Sequence, residues 1–144
     1  MRNKNLPKLL SEFAYNFNPS DLPISSSSIF KICLADWVSV SIAAQGSKIA
    51  KIILSLAKEE GRVQDSFIFG HKSYVSCKTA ALINGTISHA LDYDDTHFDY
   101  LGHPSVVVLS AALAISDKYK LSFEEFKNAS IIGMETSCRI GKWL

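Results

Sequence analysis

Apolar residues recur at helical spacing along most of the chain. Leu6, Leu9, Leu10, Phe13, Ala14 and Phe17 fall on one face of a first helix, which Asn18-Pro19 closes because a residue before proline disfavours helical geometry. Ser25 to Ser28, after Pro23, supply N-cap candidates for a second helix carrying Ile29, Ile32, Cys33, Asp36, Trp37 and Val40, with Gly46 as its stop. That helix is apolar enough to be largely buried. Ser47 caps a third, in which Ile49, Ile52, Ile53, Leu56 and Ala57 face inward and Lys48, Lys51, Lys58, Glu59 and Glu60 face water, until Gly61 ends it.

From Arg62 to Val75 the helical period lapses, and Ser66-Phe67-Ile68-Phe69 before Gly70 reads as a short strand or an extended connector. Ser76 reopens the pattern through Ala80, Ala81, Ile83, Ile87, Ala90 and Leu91. Asn84-Gly85 lies inside it, and because the apolar period runs through this pair the helix is kept, with close packing expected at the glycine. After the polar segment Asp92 to Gly102, Pro104 occupies the first position of a buried helix through Val106 to Ile115. Ser122 and Glu125 form a capping box for a last helix, Phe123 to about Lys142. About six helices make this an all-α bundle.

The 144 residues carry 15 basic and 14 acidic side chains, a net charge of +1, which argues against a nucleic acid or an anionic membrane as partner. An anionic ligand would have to be bound locally. No apolar run approaches the roughly 20 residues needed to span a bilayer, and the start lacks signal-peptide chemistry, so a cytoplasmic location is expected. Cys33, Cys77 and Cys138 fit neither a disulfide framework nor a paired metal motif and read as buried thiols.

Chemistry concentrates in one place. His89, Asp92, Asp94, Asp95, Thr96, His97, Asp99 and His103 crowd between two apolar helices, and burying so many titratable groups is costly unless they are paired or used. On a helix Asp92 and Thr96, four apart, share a face and could address one ligand. His103 precedes Pro104, so the free N–H groups of Ser105, Val106 and Val107, with the Ser105 hydroxyl, would favour a carboxylate or phosphate at a helix N-terminus. A histidine beside such an anion is a natural proton donor or acceptor. His89 and His97 also fit hydrogen-bonded core positions, and Asp94 and Asp95 fit either the site or a brace for the loop before Pro104. His71 reads as a surface connector residue.

The stretch Ala80-Ala81-Leu82-Ile83-Asn84-Gly85-Thr86, then His89-Ala90-Leu91-Asp92-Tyr93-Asp94-Asp95-Thr96-His97 and His103-Pro104-Ser105, resembles the signature of the MmgE/PrpD family. The similarity continues in Leu34-Ala35-Asp36-Trp37, Ile132-Gly133-Met134-Glu135 and Cys138-Arg139-Ile140-Gly141. That family includes 2-methylcitrate dehydratase, cis-aconitate decarboxylase and iminodisuccinate epimerase. The resemblance implies a lyase, linked to propionate metabolism and working as a homodimer, with a large helical domain, a smaller α/β domain and a site between them for di- or tricarboxylates, needing neither metal nor other cofactor. By matching positions, Asp92, Thr96 and His103 would be catalytic, with Ser105 and His97 contacting substrate. Residues 1–144 would then be part of the helical domain, without the α/β domain and later catalytic residues, and with little or no activity alone.

Two rival enzyme readings are weaker. Asp94-Asp95 with Asp99 resembles an aspartate-rich Mg²⁺ motif, but its spacing is one residue too long and no second acidic motif follows. A Zn²⁺ site from His97, Asp99 and His103 matches no known spacing. The main alternative is a non-catalytic helical module that functions by self-association or by joining a missing remainder through exposed apolar helix faces.

Overall fold

The computed structural model describes residues 5–60 and 63–143. Among them are seven α-helical segments: α1 (Leu6–Tyr15), α2 (Ile24–Ala43), α3 (Lys48–Ile53), α4 (Leu56–Glu59), α5 (Cys77–Ser88), α6 (Pro104–Tyr119) and α7 (Phe123–Gly141). The all-α expectation holds, with α3 and α4 as two halves of the helix expected after Ser47. The break falls at Leu54 and Ser55, where the Ser55 hydroxyl donates to the Ile52 carbonyl at 2.7 Å. Gly61, expected to end that helix, lies outside the described residues.

Local chemistry explains most boundaries. Ser47, Ser76 and Ser122 each accept a backbone N–H three residues on, from Ala50, Thr79 and Glu125. The Ser122–Glu125 capping box is complete in both directions. Pro104 takes the first position of α6. The serines 25–28 do not cap α2: Pro23 is the N-cap in extended geometry and the helix starts at Ile24, leaving them in its first turns. A proline with fixed φ is enough to end the preceding extended segment there.

α6 lies between two core clusters. Ala114 joins Ala44, Ala50, Ile68, Val75, Ile83 and Ile87, whereas Leu109 joins Phe30, Trp37 and Phe126. Its most extensive contacts are with α5 and α7. Its buried stripe carries Ser105, Ser110 and Ser116 as well as Leu109 and Ala114, while Val107 and Ile115 are exposed, against the expectation of a uniformly buried helix. Small side chains let α5 approach closely. A Cβ on Gly85 would stand 3.7 Å from Ser110 and the Val106 carbonyl, an ordinary contact.

The segment without helical period is a hairpin rather than a lone strand: β1 (Ser66–Phe67) and β2 (Tyr74–Val75) pair antiparallel, Ser66 opposite Val75. Gly70 turns it at φ +78°, a conformation that favours glycine. Asn84 explains its own place inside α5: its side chain accepts from Phe69 N–H at 2.9 Å and donates to the Phe67 carbonyl at 3.3 Å, as a neighbouring strand would. The Ser66 hydroxyl donates to the Ala114 carbonyl at 2.6 Å and Phe67 N–H to Asp117 at 2.8 Å. His71 is half-buried beside Gln45.

Burial departs from expectation where apolar residues surround a helix. Ile49 and Ile52 are 45% and 61% exposed, because Ala50, Ile53 and Leu54 supply the inner face of α3. In α2, Phe30, Trp37 and Val40 are buried but Ile24, Ile29, Ile32 and Ile42 are exposed. Against the expectation that no apolar stretch is long enough, Ile24–Gly46 has a mean hydropathy of 1.4 and is by length and composition apolar enough to cross a membrane. Its inner face holds Trp37, whose indole N–H donates to Ser110 at 3.2 Å. Of the three cysteines, all expected to be buried, only Cys77 is; Cys33 and Cys138 are partly exposed.

Trp37 is therefore the residue most able to unfold the bundle. Trp37→Ala is expected to cost about 3–5 kcal/mol in urea titrations followed by circular dichroism, and Trp37→Phe about 1–3 kcal/mol through the smaller ring and the unpartnered Ser110. Ile32→Ser, on the exposed face of the same helix, should stay within about 0.5 kcal/mol. Acid should act through the caps. Burial pushes the Glu60 carboxyl up, but hydrogen bonds from Ser76 and Thr79 outweigh it and hold the group below its usual range; the Ser122 hydroxyl lowers Glu125 likewise. Depressed carboxylates contribute stability above their unfolded-state values and lose it as pH falls through the lowered ones. The thermal midpoint should hold down to about pH 5 and drop below it, less steeply in Glu60→Gln.

Candidate active site

The polar cluster lies on the connection from α5 to α6. α5 stops at Ser88, and Asp92 has a left-handed backbone, φ 55°. Asp92 and Thr96 therefore share no helix face, and the expectation that one face presents both is corrected. Leu101 is left-handed too, at φ 56°. Around the second of these points His97 and Gly102 form a bridge, with His97 N–H donating to the Gly102 carbonyl at 3.0 Å.

Four helices hold this loop. Asp95 N–H donates to Asp36 of α2 at 3.0 Å. The Asp95 carboxylate accepts from the N–H and hydroxyl of Ser105 at 3.1 and 2.5 Å, and so caps α6 from outside the helix. This bracing role was one of the two readings open for Asp95. It also corrects the expectation of an open anion site: Ser105 is buried and both its donors face Asp95. From α7, Lys142 reaches Asp99 at 2.9 Å and Cys138 approaches His97 at 3.5 Å. Gly141 lies so close to the loop that a Cβ there would be 1.9 Å from the Asp99 carbonyl oxygen.

The fourth attachment is chemical as well as structural. Asp94 has 1% of its side chain exposed, and its Oδ1 stands 2.8 Å from Nδ1 of His89 at the end of α5. Its Oδ2 stands 3.3 Å from Nδ1 of His103 and completes no hydrogen bond. The Asp94 backbone carbonyl lies 3.2 Å from that same nitrogen. The two imidazoles meet edge to face with centroids 4.6 Å apart. Asp92, 79% exposed, places Oδ1 3.9 Å from Nε2 of His89 and 3.7 Å from Nε2 of His103. Donor atoms of His89, Asp94 and His103 lie within 4.8 Å of one another.

Both rings open on a cleft of about 850 Å³ between α5 and α6, lined also by Ile49, Leu82, Thr86, Tyr100, Val107 and Ser110. Residues 8–144 match the MmgE/PrpD N-terminal domain. The chain belongs to this family. No curated protein matches it.

In this MmgE/PrpD N-terminal domain, Asp92 and His103 come together as expected, and His89 and Asp94 join them. Thr96 is exposed on the loop without a side-chain hydrogen bond among the described residues. His97 is exposed and turned to α7, its Nδ1 accepting from Asp99 N–H at 3.2 Å. Neither lines the cleft. Thr86 and Tyr100 were not anticipated; Thr86 sits one turn before His89 and could have been found by projecting α5 back from that residue. Cys33 lies beside this network, where burial and then the Asp95 carboxylate push its thiol up, away from nucleophilic use.

Asp95→Ala should free the loop and the start of α6 together, because Ser105 would keep two buried donors without acceptors. The expected cost is about 1–3 kcal/mol, with faster amide hydrogen exchange confined mainly to residues 95–106. Thr96→Ala should change stability by less than about 0.5 kcal/mol.

Proposed function

We propose that the cleft between α5 and α6 is one wall of an acid/base site for a citrate-like di- or tricarboxylate, and that the chemistry is lyase chemistry, dehydration or decarboxylation. The observation that carries this reading is buried Asp94, whose carboxylate pairs with His89 and whose backbone carbonyl meets His103, at the edge of a largely apolar cleft. Removing a proton beside a carboxylate, or returning one to a carbanion, needs a base whose orientation is set before the substrate arrives. His103 is that base in our reading. Asp92 stands on the exposed side of both rings to orient a partner, Thr96 donates to substrate after a loop adjustment, and His97 and Ser105 support the loop rather than the ligand.

The domain is open to solvent on the cleft side, so turnover calls for further acid/base groups and a wall that excludes water. We assign these to another domain or another copy of the chain, in a cytoplasmic protein. Residues 1–144 are then one part of a catalytic unit. The exposed isoleucines of α2, Ile24, Ile29, Ile32 and Ile42, favour a second reading, a helical module acting through association with itself or a partner.

Assays with 2-methylcitrate and cis-aconitate should find little or no turnover by the 144-residue chain, and turnover by a longer family protein containing the same domain. His103→Gln in the longer protein should cost about 10²–10⁴ in rate. An unchanged rate would remove His103 from the mechanism. A chain that sediments as a stable oligomer and neither binds nor turns over either acid would favour the association reading.

A further inference from the structure

We propose that His89 is a second proton-accepting residue of this site, paired with His103 through Asp94, which holds both rings with the proton on Nδ1 and a bare Nε2. The inference rests on the acid/base reading of the cleft and goes further in naming a residue and a substrate feature.

The tautomers follow from what surrounds each nitrogen. A backbone carbonyl can only accept, so Nδ1 of His103, 3.2 Å from the Asp94 carbonyl, carries a hydrogen. The nearest side-chain atom, Asp94 Oδ2 at 3.3 Å, is an acceptor as well. His89 Nδ1 meets Asp94 Oδ1 at 2.8 Å, and an ionised carboxylate again accepts. Both neutral rings therefore keep their lone pair on Nε2. Asp94 is a positioning residue: it touches no substrate and sets the working end of two others. Its negative charge offsets one imidazolium.

The bare Nε2 atoms lie 3.9 and 3.7 Å from one oxygen of Asp92. Three acceptors converge with no donor among them. Such a place repels a substrate carboxylate and selects a part of the ligand that gives a hydrogen, a hydroxyl or a carbon acid. In the reaction, one Nε2 takes a proton from carbon next to a carboxylate, the bonding electron pair stays on the substrate, and the new imidazolium faces Asp94. The other ring, still neutral, accepts a hydrogen bond from the substrate hydroxyl and orients it; as the C–O bond breaks, the carbanion pair becomes the double bond, the imidazolium gives its proton to the departing oxygen, and water leaves. A cation held by the two Nδ1 atoms would instead have to displace protons, one of which faces the Asp94 carbonyl.

The test uses the 144-residue chain labelled with ¹⁵N-histidine, at about pH 9, where free imidazoles are neutral. His89 and His103, assigned by the single variants His89→Gln and His103→Gln, should both show a protonated Nδ1 and an unprotonated Nε2. In Asp94→Ala the backbone carbonyl still holds the Nδ1 proton of His103, whereas His89 loses the carboxylate that holds its own, so the His89 tautomer should shift towards Nε2–H while that of His103 and the helical circular dichroism remain. Protonated Nε2 in either wild-type ring overturns the proposal, as does an unchanged His89 tautomer in a folded Asp94→Ala. If that variant fails to fold, the wild-type spectrum decides alone. Citrate should perturb Nε2 of His89 and bind about tenfold more tightly than tricarballylate, which has the same carboxylates without the hydroxyl. Citrate binding that moves His103 but not His89 overturns this inference and leaves the acid/base reading standing. No citrate binding by this chain or by the longer family protein removes that reading, while the tautomers still judge the pairing. Stoichiometric Zn²⁺ captured by both Nε2 atoms would replace the proton role with a metal site.

Discussion

A carboxylate taken out of water needs a donor, and Asp94 finds His89, with the His103 ring 3.3 Å away, only where the end of α5 meets the start of α6. The pairing with His89 fixes where α5 must stop, and the approach to His103 fixes where α6 must start. Asp95 next to it ties the same junction to Ser105 and, through its N–H, to Asp36 of α2. Two adjacent acidic residues thus join three helices, and the small side chains facing each other along α5 and α6 let those helices come close enough. Deep burial of Asp94 is tolerable because the bundle supplies two imidazoles, and the same imidazoles give the cleft its chemistry.

Packing and chemistry share elements throughout. Trp37 anchors the inner face of α2 on Ser110, which also lines the cleft, while its neighbour Asp36 holds the loop. Asn84 serves the hairpin from the turn of α5 just before Thr86 and His89. α1 docks at the far side, with Arg139 of α7 over the Phe13 ring at 4.3 Å. The loop from Asp92 to His103 has little regular structure of its own, yet its geometry follows from partners on helices separated widely in sequence.

Much of this was legible in the chain, because caps are local. Ser47, Ser76, Pro104 and the Ser122–Glu125 pair act within three or four residues, and each marks the start it was expected to mark. The apolar period located the long helices for the same reason. It could not choose a face where apolar residues surround the axis, as at Ile49 and Ile52, nor distinguish four serines before a helix from four inside its first turns. The site was legible as a cluster but not as a geometry. Asp92 and Leu101 take left-handed backbone angles although neither is glycine, and that reversal is imposed by the Asp95–Ser105 and His97–Gly102 contacts, which lie beyond any local pattern. Helical projection consequently put Thr96 beside Asp92 and left Asp94, the buried partner, undecided between site and brace.

The near-contact of Gly141 with the Asp99 carbonyl turns α7 into a ruler. The helix is anchored at one end by its capping box and touches the loop at the other through Cys138, Gly141 and Lys142, about 100° of rotation and 1.5 Å of rise separating each successive residue. One inserted or deleted residue between those ends would swing a side chain into the place that only a hydrogen can fill and carry Lys142 away from Asp99. Descendants of this chain can therefore exchange most outward-facing residues of α7, but they must keep its count of residues.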